Sequence, residues 1–188
     1  MNGDYQVKGS HIVVARDWID ERLREGAFSM QAKLAGASWG EIILPGMWYP
    51  VEPLIKVLAW ASPKVGRPVQ EVAAEIAMGN ARKDLTTIYR AFMRLASPVR
   101  LLRMTPMLWR NYVKFAEATV VQNDPGYYIG ACTELPERFG DWAVGCWLGF
   151  LPVAIEMAGG KGVRAKLLDQ VSELNGNLRL RVEIKYML

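Results

Sequence analysis

Apolar residues recur about every 3.6 positions up to roughly residue 115, and in several later segments every second position. These spacings bury one face of a helix and one face of a strand, respectively. The clearest alternation is at the end of the chain. Leu178, Leu180, Val182, Ile184 and Tyr186 alternate with Arg179, Arg181, Glu183 and Lys185, which gives a strand with one buried and one wet face. Its partner is Val163 to Leu174, joined through Asn175-Gly176, a two-residue hairpin signal. An earlier hairpin pairs Phe115 to Gln122 with Tyr127 to Thr133 across the turn formers Asn123-Asp124-Pro125-Gly126. Between the hairpins a long helix begins at Pro136 and carries Phe139, Trp142, Ala143, Cys146, Trp147 and Phe150 on one face. The predicted class is α+β: N-terminal helices followed by hairpin, helix and hairpin, a four-stranded antiparallel sheet with helices packed on it.

The helical half is punctuated by Ser, Gly and Pro. Ser10 is the expected cap of a first helix bearing Ile12, Val13, Trp18, Ile19 and Leu23, with Gly26 as its stop. A second helix covers Phe28 to Leu34, and Leu54, Ile55, Val57, Leu58 and Ala61 lie on a third between Pro53 and Pro63. After Pro68, Val72, Ala73, Ile76 and Ala77 keep helical spacing until Gly79 interrupts. Leu85, Ile88, Phe92 and Leu95 then form a further helix ending before Ser97-Pro98. Leu101 to Met104 and Pro106 to Tyr112 are short helical pieces. At 188 residues, 51% hydrophobic and 22% charged, one domain spanning 1–188 is expected.

Several functions are excluded by what is missing. A membrane-spanning helix needs about 20 apolar residues, and the longest uncharged apolar stretch, Ala143 to Ile155, is shorter and contains Pro152. The N-terminus shows no secretory pattern, so a cytoplasmic location is expected. Cys132 and Cys146 fit neither a redox pair nor zinc-ligand spacing and read as buried thiols. The single histidine, His11, reads as a surface or capping residue. Catalysis with serine or cysteine would require it to fold back onto a distant nucleophile. Asp17, Asp20, Glu21 and Glu25 share their helix with Arg16, Arg22 and Arg24, the pattern of a solvated, paired face. No phosphate-binding glycine loop is present. An enzyme is therefore not expected.

Two features remain. From Arg82 to Lys114 there are eight basic residues and one acid, a local net charge of +7 against +4 for the whole chain. This band, with Arg90, Arg94, Arg100, Arg103 and Arg110, is either a docking face for an acidic partner or simply the wet side of two helices, and nothing in it favours nucleic acid. The Gly145-x-x-x-Gly149 pair allows another backbone to approach, either inside the fold or across a dimer. Six of the seven tryptophans, Trp39, Trp48, Trp60, Trp109, Trp142 and Trp147, with Tyr49, Phe92 and Tyr112, come from separated segments expected to converge on one core; such rings either fill the core or leave an apolar cavity.

The run Met47-Trp48-Tyr49-Pro50, Leu54, Leu58, Gly66, Ala73, Gly79, Tyr89, Ser97-Pro98, Leu101-Leu102, Leu108-Trp109 and Tyr112, followed by hairpin, helix and hairpin, resembles the 4-vinyl-reductase-like and haem-nitric-oxide-binding-like superfamily. The same fold occurs in small subunits of TRAPP tethering complexes, and the chain is similar to a group of myxobacterial paralogues. The resemblance implies a sensor or interaction module that holds a small apolar molecule, an acyl chain or haem. Haem is not expected, because the haem-binding members carry a histidine in mid-domain and a Tyr-x-Ser-x-Arg element, neither of which occurs here. Zinc is not expected either, because the cysteine cluster of the zinc-binding members is missing, so no cofactor is expected.

Two readings follow. In the first, a non-enzymatic sensor-like domain binds a small apolar molecule or acyl chain in a cavity lined by Trp48, Phe92, Trp109, Tyr112, Trp142, Cys146 and Trp147, and signals through protein contacts. In the second, a homodimeric interaction module has a solid core and docks partners through the basic band.

Overall fold

The two hairpins form one antiparallel sheet by joining through their second strands. The computed structural model describes residues 5–39, 42–87, 89–93, 96–173 and 175–188, with residues 91 and 92 described as backbone alone. Strands β3 (Glu117–Asp124), β4 (Tyr127–Pro136), β5 (Lys161–Ser172) and β6 (Asn177–Met187) lie in the order β3-β4-β6-β5. Registers Tyr128↔Ile184, Gly130↔Val182 and Cys132↔Leu180 put the buried members of β4 and β6 on the same face. The opposite face holds charges: Glu183 lies 3.3 Å from Lys166 and 3.5 Å from Lys185 and accepts from the Tyr127 hydroxyl at 3.1 Å. The turn between β5 and β6 carries Asn175 at φ 94° and Gly176 at φ 72°, the left-handed pair that a tight hairpin needs.

Against the inner face lies α8 (Gly140–Met157), which follows a short 3₁₀ turn at Glu137–Phe139. The helix is buried nearly all round, rather than on the one face its spacing suggests. The sheet covers one side: a side chain at Gly130 would collide with the Trp147 ring. On the other side α4 (Val69–Thr86) packs directly on Gly145 and Gly149. A Cβ at Gly149 would run into the Ala74 carbonyl, and one at Gly145 would sit 2.7 Å from the Ala73 Cβ. The small-residue pair therefore serves packing within the fold.

Outside this core run α1 (Gly9–Arg22), α2 (Ala27–Leu34), α3 (Glu52–Ala61), α5 (Arg90–Met93), α6 (Pro98–Arg103) and α7 (Thr105–Tyr112). Two short strands, β1 (Gln6–Lys8) and β2 (Trp48–Pro50), pair antiparallel. Val7 bridges to Val113, tying the start of the chain to the end of α7. Among the described residues no helix is long and apolar enough to cross a membrane.

Three helical details differ from the sequence reading. Ser10 lies inside α1 and does not cap it. The Gly9 and Ser10 amides donate instead to the carbonyls of Met47 and Pro45, at 2.8 and 2.9 Å, so a distant turn satisfies the helix end. Gly79 does not interrupt α4. It gives close passage to α1, since a Cβ there would sit 3.0 Å from Val14 Cγ1. The stripe expected to continue through Phe92 divides between the end of α4 and the single turn of α5, while Ile88 and Leu95 lie outside the described residues.

Because Gly149 meets backbone that has no rotamer with which to yield, Gly149→Ala is expected to destabilise the fold by about 1–3 kcal/mol. Gly46→Ala, at a site with nothing within 4 Å and no positive φ, is expected to be near neutral. Urea midpoints of the two variants check this. Equal midpoints would show that α4 and α8 are not in the contact described.

Candidate functional site

Where α1, α4, α7 and α8 converge, they line an almost wholly apolar, partly open cavity of about 50 Å³. Helix α8 supplies Trp142, Cys146, Trp147, Phe150 and Leu151; α7 and its end supply Thr105, Leu108, Trp109, Tyr112 and Val113; α4 supplies Ala77 and Asn80; and α1 supplies His11. Its wall is an aromatic chain. Trp109 lies 6.4 Å from Trp142 and 5.8 Å from Trp147 between ring centroids, and Tyr112 meets Phe150 edge-on at 5.5 Å. The four-residue step from Trp142 through Cys146 to Phe150 places these side chains on one face of α8. Pro106, near the N-terminus of α7, starts the short helix that carries Trp109 and Tyr112.

Of the seven residues expected to line a cavity, five do: Trp109, Tyr112, Trp142, Cys146 and Trp147. Trp48 does not. It sits on β2 beneath the ammonium groups of Lys8 and Lys114, at 4.3 and 4.6 Å from its ring, because pairing with β1 holds it at the edge of the fold. The Phe92 side chain and Arg94 lie outside the described residues. Arg90, Arg100, Arg103 and Arg110 are all exposed, and among the described residues none of the four takes part in a salt bridge.

The sequence reading of His11 as a surface or capping residue is incorrect. The side chain is 5% exposed and stands edge-on to Trp142, 5.7 Å between ring centroids. The Trp142 indole nitrogen donates to His11 Nε2 at 3.4 Å, Cys146 Sγ lies 3.7 Å from the same nitrogen, and the Asn80 amide lies 2.8 Å from Nδ1. An indole nitrogen can only donate, so Nε2 is the ring's acceptor. Burial lowers the imidazole pKa to about 4, keeping it neutral. His11 does fold back onto a distant sulfur, but burial pushes the Cys146 thiol up while it pushes the imidazole down. Both shifts oppose a thiolate–imidazolium pair.

Asp84 is a second polar residue that the sequence did not single out. It is 3% exposed and accepts from the Tyr112 hydroxyl at 2.7 Å. Burial raises its pKa, partly offset by that bond, and raises the Tyr112 phenol as well. The pair fixes α7 to α4 beside the cavity. The indole nitrogens of Trp109 and Trp147 are buried without an acceptor.

No family model matches this chain, and no curated protein does either. Solved structures do match. One is a Cs H-NOX mutant carrying 4-cyano-L-phenylalanine, at TM-score 0.72 and 15% identity, covering 95% of this chain and 96% of that one. The chain has the H-NOX fold. A structure from work on the function of haem distortion in the H-NOX family aligns at TM-score 0.72 and 15% identity, covering 95% of this chain and 94% of the other. An oxygen-binding H-NOX domain related to soluble guanylate cyclases, in its oxygen complex, aligns at 0.68 and 14%, covering 95% and 94%. Within the wider resemblance drawn from sequence, these neighbours support the haem-nitric-oxide-binding side. The 4-vinyl-reductase, TRAPP and myxobacterial parts receive no such support.

The expectation that the chain takes no cofactor, haem included, does not stand. For haem it rested on the lack of a mid-domain histidine and of a Tyr-x-Ser-x-Arg element. The fold neighbours include structures described by their haem, and His11 comes from the first helix to the cavity wall with Nε2 unprotonated. On the chemistry of its donor, the site fits an iron ligand: a neutral imidazole with Nε2 unprotonated and the other nitrogen engaged.

The pH dependence of stability follows. His11 has a pKa of about 4 when folded against 6.5 as the ordinary value. Above pH 6.5 neither state is protonated, whereas between the two values the unfolded chain binds a proton that the folded chain excludes. Stability is therefore expected to fall as pH drops from 6.5 towards 4, by about 3 kcal/mol in total, with no further loss from this group below that. Urea unfolding of the wild type minus that of His11→Phe, across pH 7 to 4, isolates the effect. Parallel curves would show that His11 is not buried as described.

Proposed function

We propose that this chain is a single, non-enzymatic sensor-type domain that binds a small ligand in the cavity between α1, α4, α7 and α8 and reports it through protein contacts. The supporting observation is His11 Nε2, the acceptor nitrogen of the one imidazole in a wall that is mostly aromatic and aliphatic, with Asn80, Thr105 and Cys146 as its other polar members. Two buried indole nitrogens without acceptors, on Trp109 and Trp147, add to it, since an unmade buried hydrogen bond costs about 1–3 kcal/mol and a ligand atom or water would relieve it. Against catalysis stand the opposed shifts of Cys146 and His11, which disfavour a thiolate–imidazolium pair.

Haem is the first ligand to test. His11 Nε2 would hold its iron, and the indoles of Trp109, Trp142 and Trp147 would pack on its apolar faces. When bound, haem supplies an iron with an open position for a small gas. The cavity of about 50 Å³ is smaller than the ~150 Å³ apolar cavity known to admit benzene. Anything larger than a gas or a few waters, haem and an acyl chain alike, therefore enters only if the helices around the cavity yield. Helix α7 carries Trp109 and Tyr112 on the cavity and Arg110 at the surface. Ligand entry that shifts α7 would thus shift part of the basic face, coupling occupancy to a partner. Partner binding at Arg90, Arg100, Arg103 and Arg110 belongs to this proposal, as does a homodimer using that face.

Titration of the purified protein with haem is expected to give a saturable Soret band at one equivalent. His11→Ala is expected to lose or shift it. A band unaffected by His11→Ala would place haem elsewhere, and no band at all would remove haem as the ligand. Independently, Trp109→Ala is expected to destabilise the fold by about 3–5 kcal/mol, and added indole is expected to recover part of that loss in a thermal-shift measurement. Lack of rescue would show that the space collapses instead of binding.

A further inference from the structure

The contacts of His11 are over-determined, and only one arrangement of protons satisfies them. Trp142 is 1% exposed, and its Nε1 has His11 Nε2 as its acceptor at 3.4 Å. Asn80 is 1% exposed, and its Nδ2 is placed 2.8 Å from His11 Nδ1 while its Oδ1 has no donor around it. With both groups donating, both ring nitrogens must accept, but a neutral imidazole has one acceptor and one donor. A protonated ring fails more badly, because it would donate at both. The indole has no alternative role, since it can only donate. Moving the ring proton to Nε2 would set two N–H groups against each other and leave Cys146 Sγ, a weak acceptor at 3.7 Å, as the only relief. The amide of Asn80, by contrast, exchanges its oxygen and nitrogen by a half-turn that displaces nothing else. After that turn the short 2.8 Å contact becomes Nδ1–H donating to a carbonyl oxygen, and the oxygen left without a donor is no longer there.

We infer that Asn80 presents Oδ1 to His11 Nδ1–H and is a positioning residue that fixes the tautomer, leaving the Nε2 lone pair as the cavity's polar anchor. The long 3.4 Å contact from Trp142 engages that lone pair weakly. A ligand group that competes for it must be an N–H or O–H donor or a metal; a group offering only acceptors has nothing to bind at this nitrogen. This consequence rests on the cavity being the binding site, whereas the tautomer does not.

The chain has one histidine, so a ring-¹⁵N-labelled sample with any purification tag removed shows a single imidazole. A long-range ¹H–¹⁵N correlation on the ligand-free protein at pH 7 is expected to show Nδ1 protonated and Nε2 bare. Asn80→Asp, which keeps an acceptor at the same place, is expected to retain that pattern. Asn80→Leu is expected to lose it, moving the ring towards the Nε2–H form. A wild-type spectrum with Nε2 protonated overturns the inference by itself, as does an unchanged Nδ1–H pattern in folded Asn80→Leu. Because the measurement uses ligand-free protein, a failed haem titration leaves it standing, and a wrong tautomer leaves the titration standing.

Discussion

The close approach of α4 to α8 is the contact on which the remaining geometry depends. Two helices normally keep side chains between them, at an axial separation of about 8–10 Å. Here Gly145 and Gly149 leave no side chain on the α8 surface, and the backbone of α4 around Gln70 to Ala74 occupies the space. The turns of α4 that follow then run past Cys146 and Phe150, and Asn80 arrives at the cavity instead of at solvent. On the other face of α8, Trp147 lies over Gly130 in β4. The helix is thus gripped between a backbone and a sheet, and the aromatic residues at its start can only face α1 and α7. The cavity is what remains between one helix pair that packs unusually closely and a short helix, α7, whose large rings keep it at a distance.

Within that space the chain carries a cost that it could have avoided. A buried imidazole with a pKa near 4 gives up proton affinity that a surface histidine would keep, and aliphatic residues would fill the same volume without any unpaired polar atom. Instead the site keeps His11, Asn80, Cys146 and three indoles together, with two indole nitrogens lacking acceptors. Such polar groups in an apolar wall are tolerated where they orient a ligand. The buried Asp84–Tyr112 bond works differently: it clips α7 to α4, so that the rings on α7 hold their positions.

The solved structures that share this fold are 14–15% identical to the chain while matching about 95% of its length. At that distance the element order and the burial pattern are what correspond. A sheet of two hairpins around a central helix can be met by any sequence with the right periodicity, whereas a site depends on particular atoms. In this chain the cavity's histidine comes from the first helix and its other lining residues from α4, α7 and α8.

The sheet, its two hairpins and the central helix were legible from the residues because their cause is local. Alternation at Leu178 to Tyr186, the Asn175-Gly176 turn and the apolar spacing of Trp142, Cys146 and Phe150 each act within a few residues of chain. Five cavity residues followed from the same reasoning, since large rings on buried faces converge. What escaped was set by contacts far apart in sequence. Ser10 looks like a cap until carbonyls at Pro45 and Met47 satisfy the helix end; Gly79 looks like a break until Val14 explains the missing side chain; Trp48 looks like core until a pair of three-residue strands holds it at the edge. His11 is the strongest case. Nothing within its own helix distinguishes an exposed histidine from a buried one, and only the arrival of Asn80, Trp142 and Cys146, from 69 to 135 residues away, removes its water and decides which nitrogen keeps the proton.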